Sequence, residues 1–185
     1  MASKHNAPLM GALFVVAPNS TTMSKTSLQT RERKQHGEDT MDEFMQAAID
    51  EARLGLQEGG IPIGSVLVHQ GRILGHGHNR RVQQGSAILH GEMDALENAG
   101  RQTASVYRES VLYTTLSPCP MCTGAILLYG IPKVIIGENQ TFLGGEALLR
   151  EQGVKLEVLQ NEDCIALMRH FIASKPELWN EDIGV

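Results

Sequence analysis

Apolar residues recur at helical spacing early in the chain, at Met41, Phe44, Met45, Ala48, Ile49, Ala52 and Leu56, and the run stops at Gly59-Gly60. Thr40 and Glu43 have the spacing of a capping box, so a first helix is predicted from about Met41 to Glu58. The period then changes. "IPIGSVLVHQGRILGHGHN" reads as two extended runs meeting at Gln70-Gly71, the short polar link of a β-hairpin. "LHGEMDALENAG" returns to helical spacing and ends at Gly100. "SVLYTTL", "KVIIG" and "VKLEVL" read as strands, with "PCPMCTGAILLYG" and "GEALLREQG" as the helices between them. Two closing helices are predicted near Asp163 to Ser174 and Pro176 to Asp182. A hairpin followed by strands that alternate with helices predicts an α/β fold, a three-layer α/β/α sandwich around a five-stranded mixed sheet.

Composition limits what such a fold can serve. The 185 residues are 42% hydrophobic, enough for one substantial core. The net charge is -5 and the basic residues are scattered, so there is no electrostatic footprint for nucleic acid, and a small neutral substrate suits the balance better. The apolar run in "APLMGALFVVAP" is too short to span a bilayer, so no membrane segment is expected. Residues 1 to 40 differ from the rest. They are rich in Ser and Thr, with Lys25, Arg31, Arg33 and Lys34 against the single acid Glu32 between Ser20 and Lys34. They are expected to form a disordered or targeting-like extension, with the folded domain at 41–185.

Three cysteines cannot make a disulfide framework, and an odd count with one close pair suits a reducing compartment. The cytoplasm is the expected location, with the nucleus or an organelle reached through residues 1 to 40 as alternatives. Within "TLSPCPMCTGA", Ser117 makes a good N-cap and Pro118 a good first helical residue. Cys119 and Cys122 then fall in the first turn on one face, at the positive helix end that favours thiolate. Such a pair serves a cation or a reactive dithiol.

A structural zinc would need four ligands, and Cys164 does not help, since it lies on the apolar face of a late helix with Ile165, Met168, Phe171 and Ile172. "HGE", His90-Gly91-Glu92, also opens a helix after a loop. His90, Cys119 and Cys122 make three ligands, and a tetrahedral zinc so held keeps one position for water, the mark of a catalytic site. H-x-E followed by P-C-x-x-C is the signature of zinc-dependent nucleobase deaminases. Glu92 is offset around the helix from His90, so it is placed to carry protons rather than to bind the same metal. His76 and His78 share a strand face but have no further ligands nearby, and read as hairpin-end residues.

The likeness extends beyond the signature. "GGIPIGSVLV", "GHGHNRR", "GSAILHGEMDALENAGR", "LYTTLSPCPMCTGAILLYGIPKVIIGEN" and "WNEDIG" resemble, in order and interval, the corresponding stretches of the fungal cytosine deaminases from about Met41 onward. The resemblance implies a homodimer with one catalytic zinc per subunit that converts cytosine to uracil and ammonia in pyrimidine salvage. It implies that Asn79 and the Gly91 amide bind the carbonyl edge of the base and that the Ser117 carbonyl receives the amino group. It further implies that the Cys119 amide lies against the attacking oxygen, that Phe142 and Trp179 form the walls, and that Asp182 is the acid near the amino group.

Two positions depart from that family, whose members tend to carry phenylalanine where this chain has Val82 and Asn180; losing both rings is expected to loosen stacking on the base. The rival functions are deamination of guanine or cytidine, which signature and charge leave open, and of adenosine in tRNA, which a basic surface would favour. A non-catalytic zinc-binding module is the rival from another class, and Glu92 speaks against it, because a structural metal needs no proton carrier.

Overall fold

The computed structural model describes residues 43–185, so Thr40, Met41 and the extension expected over residues 1 to 40 lie outside the described residues. Helix α1 occupies 43–57, in agreement with the expected span over the described part. Strands β1 (Gly64–His69) and β2 (Arg72–His78) form the hairpin, and Gln70 and Gly71 between them both take positive φ, 49° and 74°. That two-residue turn matches the twist of the flanking strands. Short helix α2 (Arg81–Gln84) leads to α3 (Gly91–Ala99) and α4 (Ala104–Arg108). Then come β3 (Ser110–Leu116), α5 (Pro120–Tyr129), β4 (Lys133–Glu138), α6 (Glu146–Glu151) and β5 (Lys155–Val158). Helices α7 (Glu162–Ser174) and α8 (Pro176–Ile183) close the chain.

The five strands form one sheet in the order β2-β1-β3-β4-β5. β1 is antiparallel to β2 and β3, whereas β3, β4 and β5 run parallel, giving the expected mixed sheet. Strand periodicity decides which helices lie on which side. Val66, Val68, Tyr113 and Ile135 face Met45, Ala48 and Ile49 of α1 and Cys164 of α7. Leu67, Leu112, Val134 and Ile136 point the other way, toward Leu96 of α3, Tyr107 of α4, Ile126 of α5 and Leu149 of α6. These two layers and the sheet make the three-layer sandwich. A third cluster, Ile61, Ile63, Leu116, Met168, Phe171 and Trp179, packs α8 over one end of the sheet. The Gly-His-Gly-His alternation in β2 also has a packing reason. A Cβ at Gly75 would sit 2.3 Å from the Ala95 carbonyl oxygen, and one at Gly77 2.6 Å from the Ala95 nitrogen, so α3 lies directly on this strand.

The histidines of that alternation face the opposite way. His78 is 2% exposed and lies between Glu51 of α1 and Glu58 just past its end, with Nδ1 2.7 Å from Glu51 Oε2 and Nε2 3.0 Å from Glu58 Oε2. His76 Nδ1 meets the other Glu51 oxygen at 2.5 Å. The two histidines at the hairpin end are thus paired with glutamates. The Glu51 hydrogen bond outweighs burial and holds His78 above the usual imidazole range, while His78 holds Glu51 below the usual carboxylate range. The sign of the stability contribution follows from these directions. His78 contributes fully below its unfolded pKa of about 6.5, and its contribution is lost as pH rises through the raised folded value. His78→Ala is therefore expected to cost about 2–3 kcal/mol near neutral pH, since it removes the buried imidazole that Glu51 and Glu58 share and leaves them facing each other. Urea melts across alkaline pH check this, because the variant should lose less stability with rising pH than the parent.

Candidate active site

His90 and Cys119 hold equivalent positions in the fold. Each is the N-cap of a helix, α3 and α5, and each has extended backbone, φ -70° and ψ 164° for His90 and φ -66° and ψ 170° for Cys119. Neither side chain caps its own helix, so both are free to point into the space that the two helix ends face. The expectation that Ser117 caps the helix and Pro118 begins it is corrected here, since Pro120 is the first helical residue. The cause is local. Proline at 120 disfavours helical backbone at Cys119, so the helix cannot start earlier. Cys122, one turn in, is fully buried and still turns its sulfur to the same point as Cys119.

One ligand atom each from His90, Cys119 and Cys122 lie within 4.8 Å of one another, and this is the only such cluster of three or more among the described residues. Cys119 Sγ is 3.4 Å from His90 Nδ1. A hydrogen bond from Cys122, supported by His90, brings Cys119 down to about 4, while the same bond and burial push Cys122 well above the usual thiol range. Two sulfurs competing for one proton beside an imidazole form a donor set that a cation completes, and one nitrogen with two sulfurs suits zinc. The other ring nitrogen, Nε2, lies 3.6 Å from Asp182 Oδ1, so a carboxylate backs the imidazole on the side away from the sulfurs. The carboxylate and Cys119 together keep His90 above its usual range despite burial.

Glu92 is the second residue of α3, 3% exposed and outside the ligand cluster. A helix N-terminus favours a carboxylate, but burial dominates, and with the Cys119 charge it holds Glu92 above the ordinary carboxyl range. A small cavity opens over it, lined by Ile63, Glu92, Leu116, Ser117, Trp179 and Asp182 together with His90, Cys119, Phe142 and Ile183. Phe142 and Trp179 meet edge to face, with ring centroids 5.8 Å apart and planes at 87°. An outer hollow shares His90, Cys119, Phe142, Asp182 and Ile183 with this cavity and is bordered by Arg81 and Glu181, which makes it the approach.

The other expected contacts divide. Gly91 begins α3, where a Cβ would sit 2.9 Å from the Ile63 carbonyl oxygen, so a larger residue would push the helix end off the cavity. Ser117 is 2% exposed and lines the cavity. Asn79 is fully buried and does not line it. Its Nδ2 donates to both Asp182 oxygens at 3.1 Å, and its Oδ1 accepts from the Arg81 backbone at 3.1 Å. Asn79 thus orients Asp182. Arg81, which nothing in the sequence singled out, donates from Nη1 to Asp182 Oδ1 at 2.9 Å and to the Glu181 carbonyl at 3.2 Å, tying α8 over the site. Val82 is 42% exposed on α2 and Asn180 is exposed on α8, one residue past the inward-facing Trp179. Neither lines the cavity, so the expected loosening of its stacking has no basis in these positions.

Comparison with known proteins agrees with this geometry. Residues 38–138 match the family model of the cytidine and deoxycytidylate deaminase zinc-binding region. A cytosine deaminase of Candida albicans is 57% identical over 141 residues, covering 76% of this chain and 94% of that protein. A tRNA-specific adenosine deaminase of Streptococcus pyogenes is 45% identical over 139 residues, covering 69% of this chain and 87% of that protein. A solved structure from a study of tRNA:A34 deaminases aligns with TM-score 0.59 at 25% identity, covering 68% of this chain and 99% of that one. A guanine deaminase structure from Nitrosomonas europaea, at 20% identity and TM-score 0.57 over 70% of this chain and 83% of that one, shows the same fold. With the motif residues gathered at one cavity and the matched region spanning all of them, the chain belongs to the cytidine and deoxycytidylate deaminase family, defined by its zinc-binding region.

Proposed function

We propose that this protein hydrolyses cytosine to uracil and ammonia. The observation that carries the reading is the cavity itself. Phe142 and Trp179 give it an aromatic wall, and Glu92, His90 and Cys119 share its lining, so a flat ring held there lies beside both the carboxyl and the metal-binding side chains. The 57% identity to a cytosine deaminase supports the same substrate, as does the net charge of -5.

The chain's own groups divide the work. His90, Cys119 and Cys122 would hold zinc, which when bound acidifies a water to a pKa of roughly 7 and so supplies the nucleophile at neutral pH. Glu92 is placed to accept one proton of the attacking water and to deliver it to the ring nitrogen beside the amine-bearing carbon. The same carboxylate then takes the second proton from the new C–OH group and passes it to the amine, so that the C–N bond breaks, ammonia leaves and the carbonyl of uracil forms. The raised pKa of Glu92 suits a group that must both accept and give. Ser117 and Asp182, both in the cavity lining, take the roles of receiving the amino group in this reading, the Gly91 and Cys119 amides at the two helix ends those of meeting the carbonyl edge and the attacking oxygen, and the aromatic pair that of excluding water from the base. Asn79 acts in this reading by holding Asp182.

Ammonia release from cytosine, guanine, cytidine and a tRNA anticodon stem-loop tests the substrate. Turnover of cytosine well above the others is expected. Turnover confined to guanine or tRNA would replace the substrate, and none from any would leave a zinc-binding module.

Residues 41–185 are proposed as the deaminase domain, with 1–40 as an extension outside it. The family match begins at residue 38. No helix among the described residues is long and apolar enough to cross a membrane, and the three free cysteines support a reducing compartment such as the cytoplasm. Cys164 fits the inert buried thiol expected of it, pushed by burial to about 12. A homodimer is proposed from α5. Cys122, Thr123 and Ile126 of this helix turn inward, yet Leu128 is 78% and Tyr129 38% exposed on its outer side. An uncovered apolar helix face suits a two-fold contact. Light scattering should therefore give twice the chain mass, and Leu128→Glu should raise the dimer dissociation constant at least about tenfold. A stable, active monomer of the parent would rule the dimer out.

A further inference from the structure

Two buried carboxylates bracket the loop that carries Phe142. Glu138, fully buried at the end of β4, accepts from the backbone nitrogens of Gln140 and Thr141 at 2.6 and 3.0 Å and from the Thr141 hydroxyl. Glu146, 2% exposed at the start of α6, uses Oε1 to accept from the Ser117 hydroxyl and the Asn139 amide, each at 3.0 Å. Its Oε2 pairs with Arg150 Nη2 at 2.9 Å. Ser117 Oγ accepts in turn from the Gly144 nitrogen at 3.0 Å, and the Gly145 nitrogen donates to the Pro118 carbonyl at 2.8 Å. The loop lies directly on the segment leading into α5. A Cβ at Gly144 would sit 2.0 Å from the Pro118 oxygen, and one at Gly145 2.2 Å from Thr123 Oγ1.

A carboxylate withdrawn from water to this degree is costly unless its hydrogen bonds accomplish something specific. Glu146 neither lines the cavity nor belongs to the ligand cluster, so the chemistry makes no direct use of it. What it joins are two walls of the cavity, Ser117 on one side and the Phe142 loop on the other. We propose that Glu146 is a positioning residue for the base. By holding the Ser117 hydroxyl, which holds Gly144, it sets the spacing between the main chain at 117 and the Phe142 ring to that of a single-ring substrate. The inference rests on reading the chain as a deaminase of a free base. The walls engage the base both before and during reaction, so loosening them weakens binding without touching proton transfer.

The test uses the full chain loaded with zinc, and the substrate is whichever base of the panel the parent turns over fastest. Glu146→Ala should raise KM about tenfold or more, keep kcat within about threefold and retain one zinc per chain. Glu146→Gln keeps an oxygen that can accept from Ser117 and should recover KM to within about threefold of the parent. Ser117→Ala, a smaller change to the fold, should reproduce the KM rise, and the double variant with Glu146→Ala should be no worse than either single change. KM unchanged in both alanine variants would overturn the proposal. So would a Glu146→Ala variant losing zinc, kcat and melting temperature together, since that is a purely structural role. Additive effects in the double variant would overturn it too. Failure of the deaminase reading itself would show in the parent, as no turnover, and is distinct from all of these.

Discussion

Glu92→Gln is expected to keep close to one zinc per chain while kcat falls by about 10³-fold or more. The glutamine is nearly isosteric, so the buried site at the start of α3 should not collapse, and the ligands His90, Cys119 and Cys122 are left whole. What disappears is the only carboxyl in the cavity lining besides Asp182, and Asp182 is occupied by Asn79 and Arg81. The other titratable side chains of the lining, His90 and Cys119, are the proposed metal ligands. Zinc content by absorption spectroscopy beside ammonia release checks the split. Activity within tenfold of the parent would end the proposed role of Glu92.

Removing a ligand should do more. Cys122 is fully buried in the first turn of α5, and serine there offers a shorter, harder donor in the same enclosure. Cys122→Ser and His90→Ala are each expected to abolish both stoichiometric zinc and turnover, and to remove the fall in melting temperature that a strong chelator causes in the parent. Loading the chelator-treated parent at neutral pH should release at least about one proton per ion. Cys119 is already a thiolate there, with a pKa of about 4, whereas Cys122 keeps its proton far above neutrality and must give it up. Titration in a weak buffer reads the acid released. A variant that held zinc at parental affinity without Cys122 would show that the sulfur is not a ligand.

Strands β1, β3 and β4 were readable from the chain because they are short runs rich in β-branched and apolar residues bounded by turn residues, the pattern of strands buried on both faces. Val66 and Val68 face one layer and Leu67 the other, so every position of the run is apolar. Helices α2 and α4, at four and five residues, are too short to repeat an apolar face, and neither was expected. The start of α5 was misplaced because Ser117-Pro118 satisfies the same local rules as Cys119-Pro120, and only the second proline decides between them. The metal ligands were legible since their spacing is part of two short motifs. The groups that orient them were not, since Arg81 meets Asp182 across 101 positions and Glu146 meets Ser117 across 29, pairings that only the folded chain creates. Val82 shows the reverse error, where a position matched in sequence to a pocket ring proves to face solvent.

The aromatic wall of the cavity has an optical consequence. Trp179 is the only tryptophan in the chain, and it is 5% exposed with Phe142 at its edge. All indole emission from this protein therefore originates at the lining of the cavity. An unlabelled sample excited selectively at tryptophan should report occupancy of the cavity directly, without indole background from any other part of the chain.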